Sequence, residues 1–352
     1  MKSIIPDFSN LFSGERMHFY CTHPIVLALS ILIPLSSTMA QKEKTLFVGL
    51  TKSKGYVVGA KLSQSGLHSY AQDTSWNHIG WNHPHLSGVA IDPTNTNYMY
   101  MAGGNGAFQS KNGGKSWKIT TGWEVTEAQA ICVDQGAPEN VYVASAYGVW
   151  RSSDHADTWV EFNDGLTKKY TQIVASDKSR AGRILAGTEG GIFASTHNGK
   201  WQSIGAPGKD VLDLDQSAEN PNIWIAGTRE NGIFLSSDNG TSWQQGTGKM
   251  SKASIYCVAI DPFDVNHMAA AGWDTWVYVT KDGGKSWKQY NKGLPVDDVY
   301  NITFDANVPG RLWVATVEEG IFTTSDAGKN WVFKGMYGSL VFDMVFLQSG
   351  NY

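Results

Sequence analysis

The chain has 352 residues, with 28 basic and 32 acidic side chains; a net charge of −4 leaves no basic excess to draw a phosphate backbone, so nucleic acid is not expected as a partner. Thirty-eight glycines and 14 tryptophans against 17% charged residues argue against long charged helices and for many tight turns with aromatic packing. The 41% hydrophobic content is ample for the core of one large all-β domain or of two ordinary ones.

The first element in chain order is an apolar run of eleven residues, Ile25 to Leu35 (IVLALSILIPL), followed by SSTMAQ with small residues at Thr38 and Ala40. The run is too short to span a bilayer and reads as a secretion signal cleaved after Ala40. Residues 1–40 are therefore expected to be removed, leaving a secreted or periplasmic domain of residues 41–352. Arg16 stands just before Met17, which offers an alternative start. Cys21 leaves with the signal. Cys132 (AICVD) and Cys257 (YCVAID) lie in apolar strand contexts and are expected to be buried free thiols.

Beyond the signal the chain repeats itself. SKNGGKSW, SSDHADTW, SSDNGTSW, TKDGGKSW and TSDAGKNW share one pattern, with a shortened copy, STHNGKW, ending at Trp201 and AQDTSW ending at Trp76. The closing tryptophans 76, 117, 159, 201, 243, 287 and 331 are 41 to 44 residues apart. Each unit opens on an apolar strand (GVAID, AICVD, QIVAS, CVAID, NITFD), continues through a second (YMYMAG, NVYVAS, RILAG, NIWIAG, LWVAT) and a third (GAF, GVW, GIF), and enters the turn. β-Branched and aromatic residues bounded by Gly, Asn and Asp make these strands, and four short strands per unit is the size of a propeller blade. TLFVGL (Thr45 to Leu50) matches a second strand and LVFDMVF (Leu340 to Phe346) an orphan first strand. The fold expected is all-β: a seven-bladed β-propeller closed by pairing of the N- and C-terminal strands, which closes the ring and removes an exposed edge.

These turns resemble those of the BNR or Asp-box propellers, a group that includes sialidases, xyloglucanase-type glycoside hydrolases, sortilin-type receptors and the photosystem II assembly factor. The resemblance implies the fold, and it implies that Asp154, Asp238, Asp282 and Asp326 hold turns together rather than react. It also implies that ligands are taken on the opposite face, where the loops after the second and fourth strands open. On that face lies WNHIGWNHPHLSG, Trp76 to Gly88. Four tryptophans fill neither a box nor a repeat strand position: Trp81, Trp123, Trp273 and Trp276 are expected to bind ligand by stacking. Trp276 stands where most repeats have Gly.

Several chemistries fit these loops. A sialidase needs three converging arginines, yet of Arg151, Arg180, Arg183, Arg229 and Arg311 only Arg229 falls on this face. A glycoside hydrolase would draw its two carboxylates from Glu189, Glu230, Asp274, Glu318 and Glu319. A uronate lyase would use His83 or His85 and Tyr147 as base, with Arg229 against the sugar carboxylate. His78, His83 and His85 match no fixed metal-ligand motif, so no metal and no cofactor is expected. The alternative to catalysis is a binding scaffold for a glycan or a protein. Carbohydrate is the preferred ligand class, and a monomer is expected.

Overall fold

The computed structural model describes residues 43–54, 65–71, 75–196 and 198–348; the signal segment and its Met17 start lie outside them. Seven four-stranded antiparallel sheets follow one another, and the first strand of each lies innermost, beside the first strand of the next. In blade 2 the strands are Leu86–Ile91, Met99–Gly103, Gly106–Ser110 and Lys118–Ile119. Blades 3 to 7 repeat this order from first strands Ala128–Val133, Thr171–Ser176, Val211–Gln216, Ile255–Asp261 and Val299–Phe304. Among the described residues the only helical segment is a single 3-10 turn, Gly248–Lys252.

Blade 1 is made from both ends of the chain. Its inner strand, Ser339–Gln348, pairs antiparallel with Lys44–Lys52, which pairs with Gly66–Ala71 and then Ser75–Ile79. Ser339–Gln348 touches the first strands of blades 2 and 7, so the seven inner strands make a closed circle. The core is a series of apolar wedges between neighbouring sheets; Phe47, Leu86, Met99 and Phe108 are buried in one, and Ile184, Phe193 and Trp201 in another.

The turn boxes are self-contained. Ser152 Oγ donates to Asp154 Oδ1 at 2.7 Å and accepts from Ala156 N at 2.8 Å, while Asp154 Oδ2 accepts the Thr158 hydroxyl at 2.6 Å. Ser236 with Asp238, Thr280 with Asp282 and Thr324 with Asp326 repeat this arrangement. The Ser242 hydroxyl, followed by backbone N–H donors and Ser236, holds the Asp238 carboxyl down to about 2. These carboxylates serve their own turns.

A second aspartate in most blades, directly after the first strand, is also structural. Asp305 is fully buried: its Oδ1 accepts Asn307 N at 2.8 Å, and its Oδ2 accepts Arg311 Nε at 2.6 Å and Trp313 Nε1 at 3.0 Å. Asp134 and Asp261 reach the next blade, accepting Gly182 N at 2.6 Å and Gly310 N at 3.0 Å. Cys132 and Cys257 are free thiols; Cys257 is buried, whereas Cys132 keeps intermediate exposure on its strand, less buried than expected.

Candidate functional site

Every first strand carries the same irregularity. The pairing register slips around its second residue, between Leu86 and Gly88, Ala128 and Ala130, Thr171 and Ile173, Val211 and Asp213, Ile255 and Cys257, and Val299 and Asn301. Blade 1 slips beside Val341 and Asp343. A bulge bends its strand and re-aims the unpaired side chain. Seven residues are thereby aimed at the central cavity: Ser87, Gln129, Gln172, Leu212, Tyr256, Tyr300 and Phe342, all of intermediate exposure. The cavity encloses ≈520 Å³, and its lining also includes His85 and Arg229. Because those two belong to loops after a fourth and a second strand, its mouth opens on the face opposite the boxes.

The ring is lopsided. Blades 6, 7 and 1 contribute Tyr256, Tyr300 and Phe342, with ring centroids 6.1 and 5.5 Å apart in succession. His85 continues the arc, its ring 4.5 Å from that of Phe342, and burial holds its pKa below the ordinary histidine value, so it is neutral at pH 7. At the other end Arg229 donates from Nε to Asp210 at 2.7 Å and from Nη1 to the Tyr256 hydroxyl at 2.9 Å. Blades 2, 3 and 4 face this aromatic arc with Ser87, Gln129 and Gln172; the Ser87 hydroxyl donates to Ala128 O and Gln129 Nε2 to Glu127 O at 3.0 Å, so each keeps its oxygen as an uncharged acceptor.

One residue along the strand from the ring, blades 5 and 1 place Asp213 and Asp343. Asp213 Oδ2 accepts Val258 N of the next blade at 2.8 Å, and Asp343 Oδ2 accepts Val89 N at 2.7 Å. Enclosure in the cavity wall, reinforced by the charges of Asp215 and Asp343, pushes Asp213 up to about 7; burial pushes Asp343 up to about 6. Asp215 accepts Ile260 N at 2.8 Å and lies 3.5 Å from Lys178 Nζ.

Of the residues singled out in the sequence, His85 and Arg229 reach the cavity. Glu189, Glu230, Asp274 and Tyr147 are exposed on hairpins joining second and third strands, with Glu318 at intermediate exposure on another. Glu230, Asp274 and Glu318 share one left-handed turn position, with φ of 59°, 54° and 59°. Glu319 is paired with Lys54. None of these hairpin residues lines the cavity. His83 is buried, its ring 4.8 Å from Phe108 and 5.9 Å from Trp81, and its Nδ1 accepts His85 N at 3.2 Å. His78 sits on the outer strand of blade 1, with Nε2 3.1 Å from Ser65 O, so the three loop histidines do not converge.

Among the tryptophans, Trp123 is 89% exposed and Trp273 47%, both away from the cavity lining. Trp81 is half-exposed but leans on the box residue Trp117, with centroids 6.3 Å apart. Trp276 packs against the core between blades 6 and 7 with φ +57°, a backbone conformation that glycine takes in the equivalent positions of other blades. Ser87, Gln129, Gln172, Tyr256, Tyr300 and Phe342 were not foreseen. Aligning the second residue of every first strand shows them, since three aromatics fall in successive blades.

The chain resembles known propellers in sequence and fold. The family model Sortilin-Vps10 (Sortilin, neurotensin receptor 3) matches residues 231–336, a stretch that holds three of the boxes. A probable oligoxyloglucan-reducing end-specific xyloglucanase of Neosartorya fischeri is 27% identical over 212 residues, 55% of this chain and 25% of that protein. The chain thus spans about a quarter of that relative's length. The crystal structure of a GH74 enzyme from Niastella koreensis superposes with TM-score 0.64 at 16% identity, covering 84% of this chain and 55% of that one. YCF48 bound to D1 peptide superposes with TM-score 0.56 at 12% identity, covering 70% of this chain and 81% of that one. Repeats, ring and likenesses together make this chain a seven-bladed β-propeller of the Asp-box (BNR) type.

Proposed function

We propose that the chain recognises an oligosaccharide at the mouth of its central channel and serves carbohydrate processing outside the cytoplasm, by binding rather than by cleavage on its own. The observation that carries this reading is the lopsided ring: a continuous aromatic arc facing an arc of amides and a hydroxyl. Sugar rings stack their C–H faces on aromatics, while their hydroxyls exchange hydrogen bonds with amides. Resemblance to a xyloglucanase supports the ligand class. Cleavage needs two free carboxylates across the bound sugar. The hairpin carboxylates stand away from the cavity, and those lining it accept backbone N–H groups. A uronate is disfavoured because Arg229 is already paired with Asp210 and the remaining charges are acidic. Export belongs to the same proposal and rests on the apolar run Ile25 to Leu35 with the small residues Thr38 and Ala40 after it. No helix among the described residues is long and apolar enough to cross a membrane.

Calorimetric titration with neutral oligosaccharides tests the reading. Tyr300→Ala should weaken binding about tenfold, as expected for losing one stacked ring. Unchanged affinity in that variant would remove the channel mouth as the site. A second reading, docking of a protein segment, is favoured by Trp123, which is 89% exposed on a loop of this face. Loss of binding in Trp123→Ala alone, with a peptide and not a saccharide as ligand, would replace the first reading with the second.

A further inference from the structure

The residue that follows the ring position is Gly88, Ala130, Ile173, Cys257 and Asn301 in five blades, and Asp213 and Asp343 in blades 5 and 1. The ring therefore assembles without a carboxylate at this position. Bonding to the next blade's backbone does not explain why two blades place an acid in the cavity wall, where desolvation raises both pKa values. The two acids are not placed at random. Blades 6 and 7 lie between them on one side, so Asp213 and Asp343 bracket the arc of Tyr256, Tyr300 and Phe342 from below. The cation in the cavity lining, Arg229, is paired with Asp210 and lies over the Tyr256 ring, 5.6 Å from its centroid, and His85 is neutral at pH 7. Aromatic faces and carboxylates around one cavity are the two groups that stabilise a desolvated ammonium, through the ring quadrupole and through charge-assisted hydrogen bonds.

We infer that the saccharide taken by this mouth carries a protonated amino group, held between the aromatic arc and the carboxylates of Asp213 and Asp343. This rests on the saccharide reading and narrows it to amino sugars with a free amine. Asp213 accepts the N–H groups of Val258 and Leu214, and Asp343 those of Val89 and Met344, and each carboxylate oxygen keeps a further lone pair. A bound ammonium also relieves the repulsion between the two acids, so it draws them into their ionised forms.

Calorimetry at pH 7 on the full chain distinguishes the outcomes, with glucosamine, N-acetylglucosamine and glucose oligomers of equal length and linkage as probes. The free-amine oligomer should bind about tenfold more tightly than either neutral oligomer. In the double variant D213N/D343N, which keeps one acceptor oxygen at each position, that preference should fall to within about twofold. Thermal melting of the variant confirms that the ring is intact. Equal or tighter binding of the neutral oligomers to the native chain overturns the amine inference and leaves the saccharide reading standing. No binding by any of the three overturns both. A preference that survives the double substitution overturns the assignment to these carboxylates.

Discussion

At the scale of single residues, Asp213 ties stability to pH in the direction opposite to most aspartates. Its folded pKa lies near 7, well above the ordinary aspartate value that the unfolded chain restores. Between about pH 4 and pH 7 the folded state keeps a proton that the unfolded state has lost, so stability falls as pH rises through that window and levels off above it. Asp343, near 6, adds to the slope over the lower part. Asp213→Asn removes one of the two titrations, so its melting temperature relative to the native chain should climb from pH 5 to pH 8. A constant difference across that range would mean that Asp213 is ionised throughout. The residue scale is also where the sequence is least legible. Box aspartates announce themselves through a fixed frame of Ser or Thr, Gly and Trp, and hydrogen bonds inside the turn set their environment. Asp213 lies in VLDLDQ, which reads as plain strand alternation; only the closure of the ring puts it in the same cavity lining as Asp343.

Elements were far more legible, because a repeat of 41 to 44 residues displays every strand several times. Pairing of the terminal strands followed from which strand each end lacked, and Lys44–Lys52 pairs with Ser339–Gln348 over nearly its whole length. A chain ending at Gly338 should lose this inner strand and expose edges on blades 1, 2 and 7. Light scattering should then show association where the full chain is monodisperse; a soluble monomer with an unchanged melting temperature would mean that closure does not depend on this strand. The buried turn at Asp305 makes a second demand. Asp305→Ala strips a turn of its acceptor, and it removes the carboxylate bonded to Arg311 and Trp313. Breaking a buried pair of this kind costs about 3–5 kcal/mol, measurable by urea unfolding. The bulges escaped the sequence because no residue type marks them: Ser, Gln, Leu, Tyr and Phe all occupy the position.

For the whole molecule the question is what one ring achieves alone. The chain spans about a quarter of its xyloglucanase relative and about half of the Niastella GH74 chain. A single propeller presents one funnel, floored by inner strands and ringed by hairpins, and its hairpin carboxylates stand outside that funnel. An acid and a base must both reach the same glycosidic oxygen and anomeric carbon, within about 5–10 Å of each other. Residues 41–352 incubated with neutral and uronate-containing polysaccharides should therefore retain ligand and release no fragments. Mass spectrometry of the supernatant checks this. Fragments heavier by one water would show hydrolysis and return the catalytic role to Glu189, Glu230, Asp274 or Glu318, through a movement of the hairpins over the mouth. Fragments lighter by one water would show elimination, for which His85 is the neutral base already at the mouth, with Tyr147 on blade 3 and Arg229 on blade 5. Retention without cleavage, lost with Tyr300→Ala, is the outcome that the arrangement of this ring predicts.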